Sequence, residues 1–350
     1  MATTLDTSSL GEPVAVNQIG RELKKLWDTG DSAPTRASLM NFAVYCRSTE
    51  ALAENTELIS KFTRTHACRA LLICVVRQAP EPKVSAWVNA HCHLSRSGGS
   101  KQVCCEQITF LLEGEIKGRL TNIVFSNLDS DLPLYFWWQG DVSENLNPHL
   151  WSWIDRLFVD SLAWKDMRAQ IDRLRQSLQE NNARLTLRDL NWTRSLAVRQ
   201  ALSQIFDHPD NLPHLRRLQK VELTHAANCR STGLLLVGWL AAQLGWKLKI
   251  TSPITFTDAD GHDISVELKP AEGETFCSLV LSSSDASFAL HRETGSHFFQ
   301  AKLNLPGGHE YHHIFPAGAS TSVELLNEEM GRSSTDRLYL KSIGLIETLL

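Results

Sequence analysis

Asp131-Leu132-Pro133-Leu134-Tyr135-Phe136-Trp137-Trp138-Gln139-Gly140-Asp141 is the stretch on which the fold turns. Its apolar run is bounded by turn formers and is too short for a helix, so it reads as a strand, with Pro133 at the start where a strand accepts proline. Neighbouring residues of a strand point to opposite faces: Phe136 and Trp138 toward one layer, Tyr135 and Trp137 toward the other. Large aromatic side chains on both faces require cover on both faces. The segment is therefore expected inside a sheet with helices on each side, its carboxyl end carrying Gln139-Gly140-Asp141 to the edge where such folds place functional loops.

On the amino-terminal side, strand-like and helix-like runs alternate. Leu39–Tyr45 reads as strand, Glu50–Thr65 as helix and Ala70–Arg77 as strand. Val84–Leu94 and Val103–Leu112 read as strands joined through the Arg96-Ser97-Gly98-Gly99-Ser100 turn, and Arg119–Leu128 as helix. Asn147-Pro148 opens a short helix, and Arg156–Ser161 returns to the sheet. Before all of these, residues 1–35 read as a flexible leader with one short helix, in which Ile19, Leu23 and Leu26 recur at helical spacing and Thr29-Gly30 marks the stop. The fold class is α/β, in two layered domains, the first with a mostly parallel sheet covered by helices on both faces.

The first domain is placed at residues 36–163. Trp164, Met167, Ile171, Leu174 and Leu178 then repeat at three and four, so 164–184 reads as a connecting amphipathic helix ending at Asn181-Asn182. Residues 185–350 form the second α/β domain. Val198, Leu202, Ile205 and Phe206 line one helix, Lys220–Thr224 is a strand, and Thr232–Leu244 is an apolar helix closed by Gly245. Several strands run from Lys247 to Leu303, and Thr321-Ser322-Val323-Glu324 is a capping box for a helix through Met330.

The chain has 350 residues, a formal net charge of −4 and 21% charged residues. No basic run exceeds Arg216-Arg217 or Lys24-Lys25, which excludes nucleic acid and anionic membranes as expected partners. Residues 1–17 lack the basic and apolar regions of a secretory signal, so a cytoplasmic protein is expected, its eight cysteines reduced and serving as small buried hydrophobes.

Three constellations could carry chemistry. His309-Glu310-Tyr311-His312-His313 matches H-E-x-x-H, but zinc chemistry needs that pattern on a helix, and Pro306-Gly307-Gly308 with Pro316 leave no room for one; a loop is expected. His91-Cys92-His93 places two imidazoles on one strand face without a third ligand. Cys229-Arg230-Ser231-Thr232-Gly233 lies between a strand and a helix. Arg230, Ser231 and Thr232 at that helix start would suit a phosphate or carboxylate, and Cys229, beside Arg230, is the candidate redox thiol, its partner open. No phosphate-binding glycine loop and no nucleophile elbow occurs, and neither cofactor nor metal is expected.

The run from Asp131 to Asp141, the run Arg188-Asp189-Leu190-Asn191-Trp192-Thr193-Arg194, and Gly233-Leu234-Leu235-Leu236-Val237-Gly238-Trp239-Leu240-Ala241 together resemble the OpcA family of glucose-6-phosphate dehydrogenase assembly proteins. The resemblance spans the chain from about Thr35 onward. Its motif core here is Asp131, Pro133, Trp137, Trp138, Asn191, Trp192, Arg194 and Trp239. It implies a non-catalytic protein that binds glucose-6-phosphate dehydrogenase, promotes its active oligomer and tunes its response to substrate, with a redox response through thioredoxin. The alternative is an enzyme acting on a phosphorylated small molecule, its pocket formed by the carboxyl end of the tryptophan strand and the Cys229 loop.

Overall fold

The computed structural model describes residues 7–27, 35–94, 102–115, 118–142, 148–181, 185–332 and 336–350. The expected Thr29-Gly30 stop, the Arg96–Ser100 turn and the Asn147 cap lie outside them. The chain divides into two compact units, residues 1–165 with 169–188 and residues 166–168 with 189–350.

The first unit contains β1 (Glu12–Val14), α1 (Ile19–Trp27), β2 (Thr35–Arg36), β3 (Asn41–Cys46), α2 (Ala51–Phe62), β4 (Arg69–Val76), β5 (Lys83–Leu94), β6 (Gln102–Glu113), α3 (Arg119–Asn127), β7 (Leu134–Trp138), α4 (Pro148–Trp151), β8 (Ile154–Val159), α5 (Met167–Asn181) and β9 (Thr186–Asp189). Its nine strands run β1-β5-β6-β4-β3-β7-β8-β9, with β2 also on β6. The ladders β2·β6, β4·β6, β3·β4, β3·β7 and β7·β8 are parallel, while β5 pairs antiparallel with β1 and β6.

The tryptophan strand β7 lies between β3 and β8, as its two-sided aromatic pattern requires. Phe136, Trp137 and Trp138 are buried. On one face Trp138 stacks on Tyr45 at 4.0 Å and on Phe136 at 5.8 Å; on the other, Tyr135 meets the edge of Phe158 and the guanidinium of Arg156. Beside it, all of β3 is buried, and Phe42 stacks on Phe62 of α2.

Residues expected as leader supply an edge strand instead. Leu10 is fully buried, and β1 adds to β5 with Pro13 opposite Trp87. Three residues are too few to show alternation, and an edge accepts proline because one side of it needs no donor. The amphipathic helix is α5, which begins after Trp164 and buries Met167, Ile171 and Leu174 along one stripe.

The second unit contains α6 (Leu190–Arg194), α7 (Leu196–Phe206), α8 (Leu212–Leu215), β10 (Lys220–Ala226), α9 (Arg230–Leu244), β11 (Lys247–Thr251), β12 (Ile254–Thr257), β13 (Asp263–Ala271), β14 (Phe276–Ser282), β15 (Ser287–His291), β16 (Phe298–Leu305), β17 (His309–Pro316), α10 (Ser322–Met330) and α11 (Arg337–Ile346). Its eight strands run β11-β12-β13-β10-β14-β15-β16-β17. Only β10·β13 is parallel. The capping box forms as expected: Thr321 Oγ1 accepts from the Glu324 amide and Glu324 Oε2 from the Thr321 amide.

His309–Pro316, expected as a loop, is the edge strand β17, in unbroken register with β16. The flanking prolines and glycines that forbid a helix leave an extended strand open. Residues four apart in a strand lie about 13 Å apart, so His309 and His313 cannot share a metal ion. Glu310 is held by Lys302 and His312, which keep its carboxyl below the usual range.

Candidate functional site

At the carboxyl end of β7 the loop is tied down by its own neighbours. The Gln139 and Asn55 side-chain amides bond reciprocally at 2.8 and 2.9 Å. Gly140 has φ +76°, which favours glycine, and its carbonyl accepts from Trp164 Nε1. Asp141 Oδ1 accepts from the Lys165 amide, Trp138 Nε1 donates to the Asp141 carbonyl, and the Val142 amide donates to Gln170 Oε1 at 2.7 Å. At the opposite end of the strand, Asp131 lines a polar cavity of about 350 Å³ with Asp129 and Asp155, and the Pro133 carbonyl accepts from the Asn41 amide.

The second motif, Asp189–Arg194, is the centre of a buried polar network. Asp189 caps α6 by accepting from the Asn191 amide, and its other oxygen accepts from Tyr339 Oη at 2.9 Å. Asn191 reaches the first turn of α9, donating to Ser231 Oγ and accepting from Thr232 Oγ1. Trp192 Nε1 donates to Asp336 Oδ2 at 2.7 Å, and Asp336 in turn caps α11. Thr193 Oγ1 donates to Glu329 Oε1, which also pairs with Arg332. Arg199 lies 3.7 Å over the Trp192 ring and donates to its carbonyl. Burial pulls Arg199 down to about 10, still a cation at neutral pH. This one short stretch thus fastens α9, α10 and α11 together. Arg194, at the end of α6, is half-buried.

The third motif forms α9, and its glycines allow close packing. A Cβ at Gly238 would lie 2.7 Å from the Ser342 carbonyl oxygen of α11, and one at Gly233 would lie 3.1 Å from Leu223 of β10. Trp239 lines an apolar cleft of about 190 Å³ with Leu202, Phe206, Leu215 and Leu244.

Of the candidate anion residues, Thr232 is fully buried and bonded to Asn191, Ser231 shares that partner, and Arg230 is exposed. Cys229 caps α9 without a side-chain cap bond and is 4% exposed. The alternative pocket's two parts, the β7 loop and the Cys229 loop, belong to different units.

The cysteines depart from the sequence expectation. Cys92 and Cys104, opposite each other on β5 and β6, form a disulfide. Cys46 and Cys74 face each other on β3 and β4, and the hydrogen bond between their thiols lowers Cys46 and raises Cys74. Burial raises Cys68 and Cys105. His91 bonds to Gln107 and His93 to Thr63, and burial lowers both imidazoles. A cluster not anticipated from sequence is Asp258, Asp260 and His262 at the β12–β13 turn, whose ligand atoms lie within 4.8 Å of one another. The His262 ring and two backbone amides already engage the Asp258 carboxylate, so the turn's own geometry accounts for it.

No helix among the described residues is long and apolar enough to cross a membrane. Among known proteins, the chain is 24% identical over 308 residues to the OxPP cycle protein designated OpcA of Nostoc punctiforme, covering 79% of this chain and 64% of that protein. It is 21% identical over 210 residues to the protein of the same designation from Synechocystis, covering 59% of this chain and 42% of that one. The chain thus spans less than two thirds of the length of either. Among solved structures it aligns with an aldose-aldose oxidoreductase from Caulobacter crescentus at 12% identity and a TM-score of 0.46, covering 89% of this chain and 96% of that one. Residues 60–176 match the glucose-6-phosphate dehydrogenase subunit N-terminal domain and residues 185–343 the corresponding C-terminal domain. The three motifs and both matched regions place the chain in the OpcA family of glucose-6-phosphate dehydrogenase subunits.

Proposed function

We propose that the chain acts in the cytoplasm as a non-catalytic assembly factor and allosteric activator of glucose-6-phosphate dehydrogenase, in the oxidative pentose phosphate pathway. The observation that carries this reading is the match of both regions to domains of a glucose-6-phosphate dehydrogenase subunit. The site geometry agrees with it. The motif residues Asn191, Trp192, Trp137 and Trp138 are buried in packing and hydrogen bonds that hold the fold, and Ser231 and Thr232 are engaged with Asn191. An activator binds the active form of its partner more tightly than the inactive form, so its effect saturates. The purified chain alone is expected to reduce no NADP with glucose 6-phosphate. Added to the matched dehydrogenase, it raises the rate or lowers the apparent KM along a saturating curve. An unchanged rate at micromolar excess would refute the reading, and turnover by the chain alone would favour the enzyme alternative.

The same reading includes a redox response. A dithiol reductant of the thioredoxin class would convert Cys92–Cys104 to two thiols while its own two thiols become a disulfide. Activation measured before and after such reduction, with Cys92→Ala as control, is expected to differ; equal activation removes the response from the proposal. Cys229 remains the candidate reactive thiol, because a helix start and Arg230 favour the thiolate. Native alkylation read by mass spectrometry should label Cys229 faster than Cys74, which is fully buried and whose thiol is raised. Equal rates would remove Cys229.

A further inference from the structure

The central strands β10, β14, β15 and β16 of the second unit's sheet are buried on one face only. Residues alternate along its strands: Val221 and Leu223, Leu279 and Leu281, Phe288 and Leu290, and Phe299, Ala301 and Leu303 are buried, while none of their outward-facing neighbours is. The outward face carries the exposed residues Glu267, Lys302 and Asn304. We propose that this face joins a second copy of the chain in a two-fold symmetric dimer.

The registers define rows running straight across the sheet. One row reads Glu267, Glu222, Val280, Ala289, Lys302, His312. It is acidic at one end, apolar and small in the middle, and basic at the other. The adjacent row reads Ser265, Lys220, Ser282, Ser287, Asn304, Glu310 and runs in the opposite sense, basic first and acidic last. A two-fold axis parallel to the strands, between β14 and β15, lays each row on its own reverse. Glu222 then faces Lys302 of the second copy, Lys220 approaches Glu310 of that copy, and Val280 meets Ala289. A surface whose charges reverse in this way is complementary to itself, which a closed two-fold contact requires and an unrelated partner would match only by chance. Small side chains at the centre let two sheets approach to the roughly 10 Å of face-to-face packing.

The size is also that of a stable contact. The six strands that overlap across this axis, β13, β10, β14, β15, β16 and β17, about 4.8 Å apart and averaging about 24 Å in length, present roughly 600 Å². The smaller specific interfaces bury about 600 Å² on each partner.

Sedimentation of the full chain without the dehydrogenase tests this independently of the proposed function. Wild type is expected to be dimeric at micromolar concentration, and Val280→Arg monomeric with unchanged melting. Glu222→Lys is expected to weaken the dimer by about tenfold or more, and adding Lys302→Glu to restore it, because the pair is reformed across the axis. A monomeric wild type at high micromolar concentration would overturn the proposal. So would a Val280→Arg dimer or a double variant that stays weak. If wild type is monomeric and Val280→Arg instead abolishes binding to the dehydrogenase, the face belongs to that enzyme and the proposal fails.

Discussion

Trp138→Ala is expected to lower the unfolding free energy by about 3–5 kcal/mol, and Trp137→Ala by a similar amount, because each removes a large side chain from an interior strand buried on both faces. Trp138 is 2% exposed and Trp137 4%. The two should separate on conservative replacement. Trp138 Nε1 donates to the Asp141 carbonyl, whereas Trp137 Nε1 is buried without a hydrogen-bond partner. Phenylalanine at 138 therefore loses a bond that phenylalanine at 137 does not, a difference of about 1 kcal/mol. Urea unfolding of the four variants measures it. Activation of the dehydrogenase should fall only as the folded fraction falls. A tryptophan variant with wild-type melting and no binding would turn that residue from core into interface.

The position of β7 was legible because a strand with aromatics on both faces has one physical solution, burial between two other strands. Helix ends were legible for the same local reason: Thr321 and Glu324 carry their own cap, and Gly245 ends α9 with φ +71°. Position-by-position reading fails where the partner is distant or the segment is short. β1 offers three residues and shows nothing until Pro13 is set opposite Trp87. The spacing of Cys92 and Cys104 carries no pairing information until the β5–β6 register brings them level. β17 reads as a loop from sequence because proline and glycine exclude a helix but bound strand and loop alike, and only pairing with β16 distinguishes a strand. The function of the Asp189–Arg194 run was the least visible, since its partners Glu329, Asp336 and Tyr339 lie more than a hundred residues away in sequence.

That network gives the second large effect. Asp189→Ala removes the cap of α6, the acceptor for the Asn191 amide and the acceptor for the Tyr339 hydroxyl, and Tyr339 is 2% exposed. A lost cap costs about 1 kcal/mol and a buried donor stripped of its acceptor about 1–3 kcal/mol, so a loss of about 3 kcal/mol is expected. Asp189→Asn keeps an oxygen for the cap and a polar group against Tyr339, and should cost clearly less. The same contact gives a pH signature. Burial first, and the Asp189 carboxylate second, raise Tyr339 above its ordinary value near 10. A group raised in the folded state contributes stability that is full below its unfolded pKa and lost as pH rises beyond it, because only the unfolded chain then releases the proton. Between about pH 10 and 11, wild type should lose about 1 kcal/mol more than Tyr339→Phe, which has no proton to release there. Parallel stability curves for the two proteins over that interval would mean that the phenol ionises as easily folded as unfolded, and that the Asp189–Tyr339 contact does not hold α11 in place.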